Sequence, residues 1–134
     1  MTTPWRDALN KLKSLGYEIT LFEGKLRYIY RGEYKPPEKE ITPLIGILKD
    51  NKEKIINDPG FLIDQTIKRI NEIYVPGTLE WLKKYHHGAW EKIQDFHEEI
   101  NELALKGEVD KLREALTKYE EFINSMVNYF GKKG

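Results

Sequence analysis

The chain has 134 residues, enough for one ordinary domain or two very small ones, and 33% of them are charged. Its 22 basic residues balance 22 acidic ones, which argues against a broadly basic nucleic-acid binder, and the lack of cysteine removes disulfides, thiolate catalysis and thiolate metal sites. No apolar run approaches bilayer-spanning length and the opening MTTPWRDALNKLK has no apolar signal core, so a folded, cytoplasmic protein that does not engage a membrane is expected.

Thr3-Pro4 reads as an N-cap followed by proline at the first helical position. Trp5, Ala8, Leu9, Leu12 and Leu15 then recur at helical spacing until Gly16 ends the helix. YEITLF and KLRYIYR flank Glu23-Gly24, a two-residue loop with glycine second that suits a type I′ hairpin. Strand alternation groups Tyr17, Ile19 and Leu21 with Leu26, Tyr28 and Tyr30 on one face. The opposite face carries Glu18, Thr20 and Phe22, then Lys25, Arg27, Ile29 and Arg31. Two consecutive prolines assign residues 32–41 to a loop. Thr42-Pro43 repeats the cap-and-proline signal and predicts one helix through Leu44, Ile47, Leu48, Ile55 and Ile56, stopped by Asn57-Asp58-Pro59-Gly60.

The second half reads as helix throughout. Leu62, Ile63, Ile67, Ile70 and Ile73 form a stripe from Phe61 to Tyr74, broken by Val75-Pro76-Gly77. Thr78 is placed to cap a short helix with Leu79, Trp81 and Leu82, and His87-Gly88 marks a corner. A long helix is predicted from about Ala89 to Lys106, with Trp90, Ile93, Phe96, Ile100 and Leu103 inward and Gly107 as the turn. In the last helix Val109, Leu112, Leu116, Tyr119, Ile123, Met126 and Phe130 alternate spacings of three and four, a heptad seam. The short loop requires these two helices to lie antiparallel. The fold expected is α+β and mostly helical: a helix–β-hairpin–helix unit over residues 1–57, a helical extension over 58–131 ending in a helical hairpin, and a frayed tail from Gly131 to Gly134.

Residues 7–57 carry LKSLGYEI, EGKLRY and ITPLIGILKDNKEKII in that order, and in this they resemble the TubC N-terminal docking domain family. Members of that family are small dimerising α/β folds at subunit ends of modular peptide and polyketide synthetases. They present a β-hairpin to a short segment at the C-terminus of a partner subunit. The resemblance implies that Glu18–Arg31 is the docking surface here, with Lys25, Arg27 and Arg31 meeting an acidic tail. A helical segment, and no synthetase module, follows the unit in this chain. Relatives in mobile-element and replication-associated proteins supply an alternative, a nucleic-acid-associated accessory protein.

The cations on the hairpin are either the wet side of a small sheet or the selective part of a docking surface. Phe22 and Ile29 on that otherwise polar face favour docking, so Phe22, Lys25, Arg27, Ile29 and Arg31 are the expected contacts for a short acidic or amphipathic segment of another protein. Stacking of bases on Tyr28 and Tyr30 conflicts with their place on the apolar face. His86 and His97 could approach each other, but the Glu-x-x-His signature is missing, because Lys83, Lys84 and Gln94 stand three before His86, His87 and His97. The pairs Glu98-Glu99 and Glu120-Glu121 fall on solvated helix faces, and the chain has no phosphate-cradling glycine loop and no nucleophile elbow. No catalytic residue, metal ligand or cofactor is therefore expected. Tyr119, Phe122, Met126, Val127, Tyr129 and Phe130 spread wider than one stripe, which predicts burial on two sides and, with the resemblance, a homodimer.

Overall fold

The computed structural model describes residues 4–133, so the expected Thr3 cap and Gly134 lie outside the described residues. The chain is an α+β protein, mostly helix with one antiparallel hairpin, and it divides into two compact units, 1–58 and 59–134.

In the first unit, α1 (Pro4–Ser14) buries Trp5, Ala8, Leu9 and Leu12 along one stripe. Gly16 closes it in the left-handed region at φ +100°, where a side chain would be strained. β1 (Tyr17–Phe22) and β2 (Lys25–Tyr30) pair from Tyr17↔Tyr30 to Phe22↔Lys25. Both turn residues have positive φ, 50° at Glu23 and 75° at Gly24, as a type I′ turn requires. The Gly16 carbonyl accepts the Arg31 amide at 2.7 Å and ties the strand ends to the helix exit. The ring of Tyr30 occupies the space that a Cβ at Gly16 or at Gly32 would need. Tyr17 packs on Tyr30 with ring centroids 5.3 Å apart.

The next helix corrects the expected boundary. α2 (Glu38–Asp50) begins directly after Pro37 and encloses Pro43 instead of starting at Thr42-Pro43. Ile41 and Leu48 stand two turns apart and are both buried, and Ile41 takes that place only if the helix precedes it. Glu38 and Glu40 favour this N-terminus, whereas Pro43 costs one intrahelical hydrogen bond. A single helix was also expected through Ile56, yet the chain breaks at Asn51 (φ −114°, ψ 18°) and resumes as α3 (Lys52–Ile56). The Asn51 side chain donates from Nδ2 to the Ile47 carbonyl at 2.8 Å and satisfies an acceptor at that half-buried helix end.

The second unit holds α4 (Pro59–Ile73), α5 (Thr78–Tyr85), α6 (His87–Lys106) and α7 (Val109–Lys133). Thr78 does not cap α5. It is the first helical residue, after Gly77 at φ 92°, and its hydroxyl donates back to the Val75 carbonyl at 2.6 Å. The α5–α6 corner lies at His86, and α6 begins at His87, two residues ahead of the expected start of the long helix. α7 runs through Gly131 to Lys133 where fraying was expected.

Ile100 clusters with Leu112 and Leu116, while Ile93, farther from the Gly107 turn, clusters with Ile123 and Val127, so α6 and α7 are antiparallel. α4 and α5 also pack on α7. Trp81 lies 5.7 Å from the Tyr129 ring and 5.3 Å from Phe130, and Phe96 lies 5.8 Å from Phe122. Much of the apolar breadth of α7 is thus covered within its own unit, while Tyr129 stays exposed.

Two stability predictions follow from this packing. Gly16→Ala imposes left-handed backbone on a residue with a Cβ and crowds Tyr30, and should cost about 1–2 kcal/mol, read as a lower urea midpoint. Leu112→Ala, at 0% exposure, should cost about 2–5 kcal/mol, whereas Leu105→Ala, at 90% exposure, should stay within about 0.5 kcal/mol of wild type.

Candidate functional site

A two-stranded sheet has two faces and only one can join the small core. Tyr17 and Ile19 are buried on the inner face, and Leu21, Leu26, Tyr28 and Tyr30 are half-buried around them. The register therefore sets Glu18 opposite Ile29, Thr20 opposite Arg27 and Phe22 opposite Lys25 on the outer face.

On that face the expected contact residues are only partly assembled. The Arg27 guanidinium lies over the Phe22 ring, 4.0 Å from its centroid, so cation and aromatic form one unit. Phe22 is 47% exposed and Arg27 is exposed. Ile29 is half-buried between them and the strand ends. Arg31, just past β2, spends its charge on Glu18: Nε donates to Oε2 at 3.0 Å. Lys25 departs from the group, because it lines a cavity of about 190 Å³ at the outer edge of β2.

That cavity was not legible in the sequence. Leu26 and Tyr28 line it from β2, Lys49 from the end of α2 and Lys52 from the start of α3. The Tyr28 hydroxyl is buried and has no hydrogen-bond partner among the described residues. Burial raises the Tyr28 pKa, so the phenol keeps its proton and remains a donor at neutral pH. The missing signal was tertiary. Tyr28 reads as a core residue and the two lysines as a solvated helix face until the break at Asn51 sets both beside the strand.

The helical unit has a second hollow of about 300 Å³, lined by Ile63, Ile67, Ile100 and Leu116 together with His97 and Tyr119. His97 Nε2 and the Tyr119 hydroxyl are 2.8 Å apart, and burial raises the Tyr119 pKa. His86 belongs to a different cluster, against Trp81 at 4.7 Å and Tyr129 at 5.4 Å, so the approach of His86 to His97 envisaged from the sequence is not what places either ring. Among the described residues no group of three His, Asp or Glu side chains could hold a metal ion, and no helix is long and apolar enough to cross a membrane.

The chain matches no protein-family model, no curated protein and no solved structure.

An unpartnered buried hydroxyl contributes nothing to folding and costs its desolvation. Tyr28→Phe should therefore leave stability unchanged or raise it by up to about 1 kcal/mol, measured by urea unfolding in phosphate-free buffer.

Proposed function

We propose that the chain is a non-enzymatic interaction module that takes a short acidic segment of another protein along the outer face of its hairpin. The observation that carries this reading is the Arg27–Phe22 pair, a cation stacked on an exposed ring on the sheet face that turns away from the core. Stacking holds the guanidinium in place while leaving its N–H groups directed to solvent, ready to select a carboxylate. Phe22 and Ile29 add apolar contact on the same face. Affinity then comes from apolar burial and backbone pairing, and selectivity from charge.

The open strand edge supports the same reading. Beside a two-residue turn, Phe22 and Lys25 form the hydrogen-bonded pair, and alternation turns the backbone groups of Leu26 and Tyr28 outward. No backbone hydrogen bond from outside the hairpin reaches those two residues among the described residues. An extended segment can add there as a further strand.

The resemblance of residues 7–57 to docking domains points the same way. The homodimer that the resemblance implies is part of the same reading; α4, α5 and α6 cover most of the apolar breadth of α7 and leave Tyr129 exposed. Base stacking on Tyr28 and Tyr30 finds little support: the Tyr30 ring fills the space over Gly16 and Gly32, and the Tyr28 hydroxyl is buried.

Selection of short random peptides displayed against the whole protein tests the reading. The expected winners are extended, acidic and interrupted by apolar residues. The double variant Phe22→Ala with Arg27→Glu should bind them roughly tenfold or more weakly, with an unchanged circular dichroism spectrum. Failure to enrich any acidic peptide, or equal binding by the folded variant, contradicts it.

A further inference from the structure

The hollow between α4, α6 and α7 is an opening in the cover of the helical core. Ile100 and Leu116 belong to a buried cluster of that unit and are each 5% exposed, yet both line the hollow, so the core comes to the surface there. On the α4 side Ile67 is 48% exposed, and half-buried Ile63 lies one turn before it on the same face. Thr66 adds no free polar group to this side, because its hydroxyl donates to the Leu62 carbonyl. The α4 wall is therefore apolar, and it gains from being taken out of water.

The opposite wall is polar. His97 and Asn101 stand one turn apart on α6 and flank Ile100, so one helix face brings all three to the hollow. His97 Nε2 meets the Tyr119 hydroxyl of α7 at 2.8 Å, and both side chains line the hollow. Burial keeps the Tyr119 phenol protonated at neutral pH. Among the described residues no Lys, Arg, Asp or Glu lines the hollow. Arg69 reaches the Thr66 hydroxyl at 3.3 Å, but its charge is met by Glu120 at 2.6 Å, and that pair borders a separate hollow with Ile73.

We propose that this hollow binds a small uncharged molecule with an apolar body and one hydrogen-bonding group, of the size of a substituted phenol. Charge selects the class. An ion entering here would leave water for walls without a counter-ion, and an unpaired ion is costly to desolvate. A neutral group has partners on the α6 side, where imidazole, amide and phenol all form hydrogen bonds. Volume selects the size, since about 300 Å³ is at the lower end for ligand pockets, which also occur between the helices of bundles. The two walls orient the guest, with its apolar body against Ile63 and Ile67 and its polar group toward the His97–Tyr119 pair.

The inference concerns the helical unit and does not rest on the docking reading. The whole protein is titrated with para-cresol, toluene and para-toluate at about pH 8, above the ordinary range of imidazole, and amide chemical shifts are followed residue by residue. Saturable shifts with para-cresol are expected, centred on residues 63–67, 97–101 and 116–119. Toluene should bind several-fold more weakly for want of the hydrogen bond, and para-toluate more weakly than para-cresol because its charge finds no partner. Ile67→Asp places a carboxylate at the mouth and should weaken para-cresol binding roughly tenfold or more. Ile73→Asp makes the same change on the same helix outside the hollow and should bind as wild type does, as should Phe22→Ala with Arg27→Glu. Tyr119→Phe should bring para-cresol down toward toluene, a change of selectivity that lost packing alone would not produce. The wild-type titration decides the site independently of how well Ile67→Asp folds. Four results overturn the proposal: no saturable shift at these residues, para-toluate bound as tightly as para-cresol, toluene bound as tightly as para-cresol, or equal binding by folded Ile67→Asp.

Discussion

Two strands can bury one face and must leave the other open, and this constraint organises the first unit. The inner row of Tyr17, Ile19 and their neighbours is committed to the core. Every outward residue is thereby chosen, because the side-chain period is two and a slip of one residue would exchange the faces. The register is held at both ends. At the tip, Glu23-Gly24 forms a turn whose twist matches the strands. At the base, the Gly16 carbonyl binds the Arg31 amide, and Tyr30 lies where Gly16 and Gly32 lack side chains. The stacked Arg27–Phe22 pair is a consequence of that double clamp, as is the freedom of Leu26 and Tyr28 at the outer edge.

The helical unit solves a different problem, how to cover a long amphipathic helix. α7 receives α4, α5 and α6, and its two clusters divide the seam into a part near the Gly107 turn and a part near the far ends of the helices. Between them, Tyr119 belongs to both clusters and pairs with His97. Aromatic contacts from Trp81 and Phe96 extend the covered surface past a single heptad stripe. A wide apolar face on one helix thus reflects several neighbours, and α4, α5 and α6 supply three of them within the chain.

Much of this was legible in the sequence wherever local chemistry dominates. The Glu23-Gly24 turn, the face assignment of the strands, the stops at Gly16 and Gly107 and the seam of α7 all follow from turn residues and periodicity. The start of α2 was not, because Thr42-Pro43 imitates a helix start while the burial of Ile41 draws the helix back to Pro37. Nor was the Asn51 break, since periodicity through Leu48 and Ile55 continues across it. The site was half legible for the same reason. Phe22, Arg27 and Ile29 share a face by alternation alone, but the engagement of Arg31 by Glu18 and the gathering of Lys25, Lys49, Lys52 and Tyr28 depend on side chains meeting in space. Lysines from three elements cannot be grouped until the break that positions two of them is known.

The central claim is that the outer face of the hairpin, and not the helical unit, receives a partner segment. Amide chemical shifts of the whole protein, recorded with and without a bound acidic peptide, test it most directly. The account predicts changes concentrated between Glu18 and Arg31, with Arg27 and the outward amides of Leu26 and Tyr28 foremost, and residues 59–133 unmoved. Changes concentrated on α4, α6 and α7, around Ile67 and the His97–Tyr119 pair, would contradict it and transfer the binding function to the helical unit.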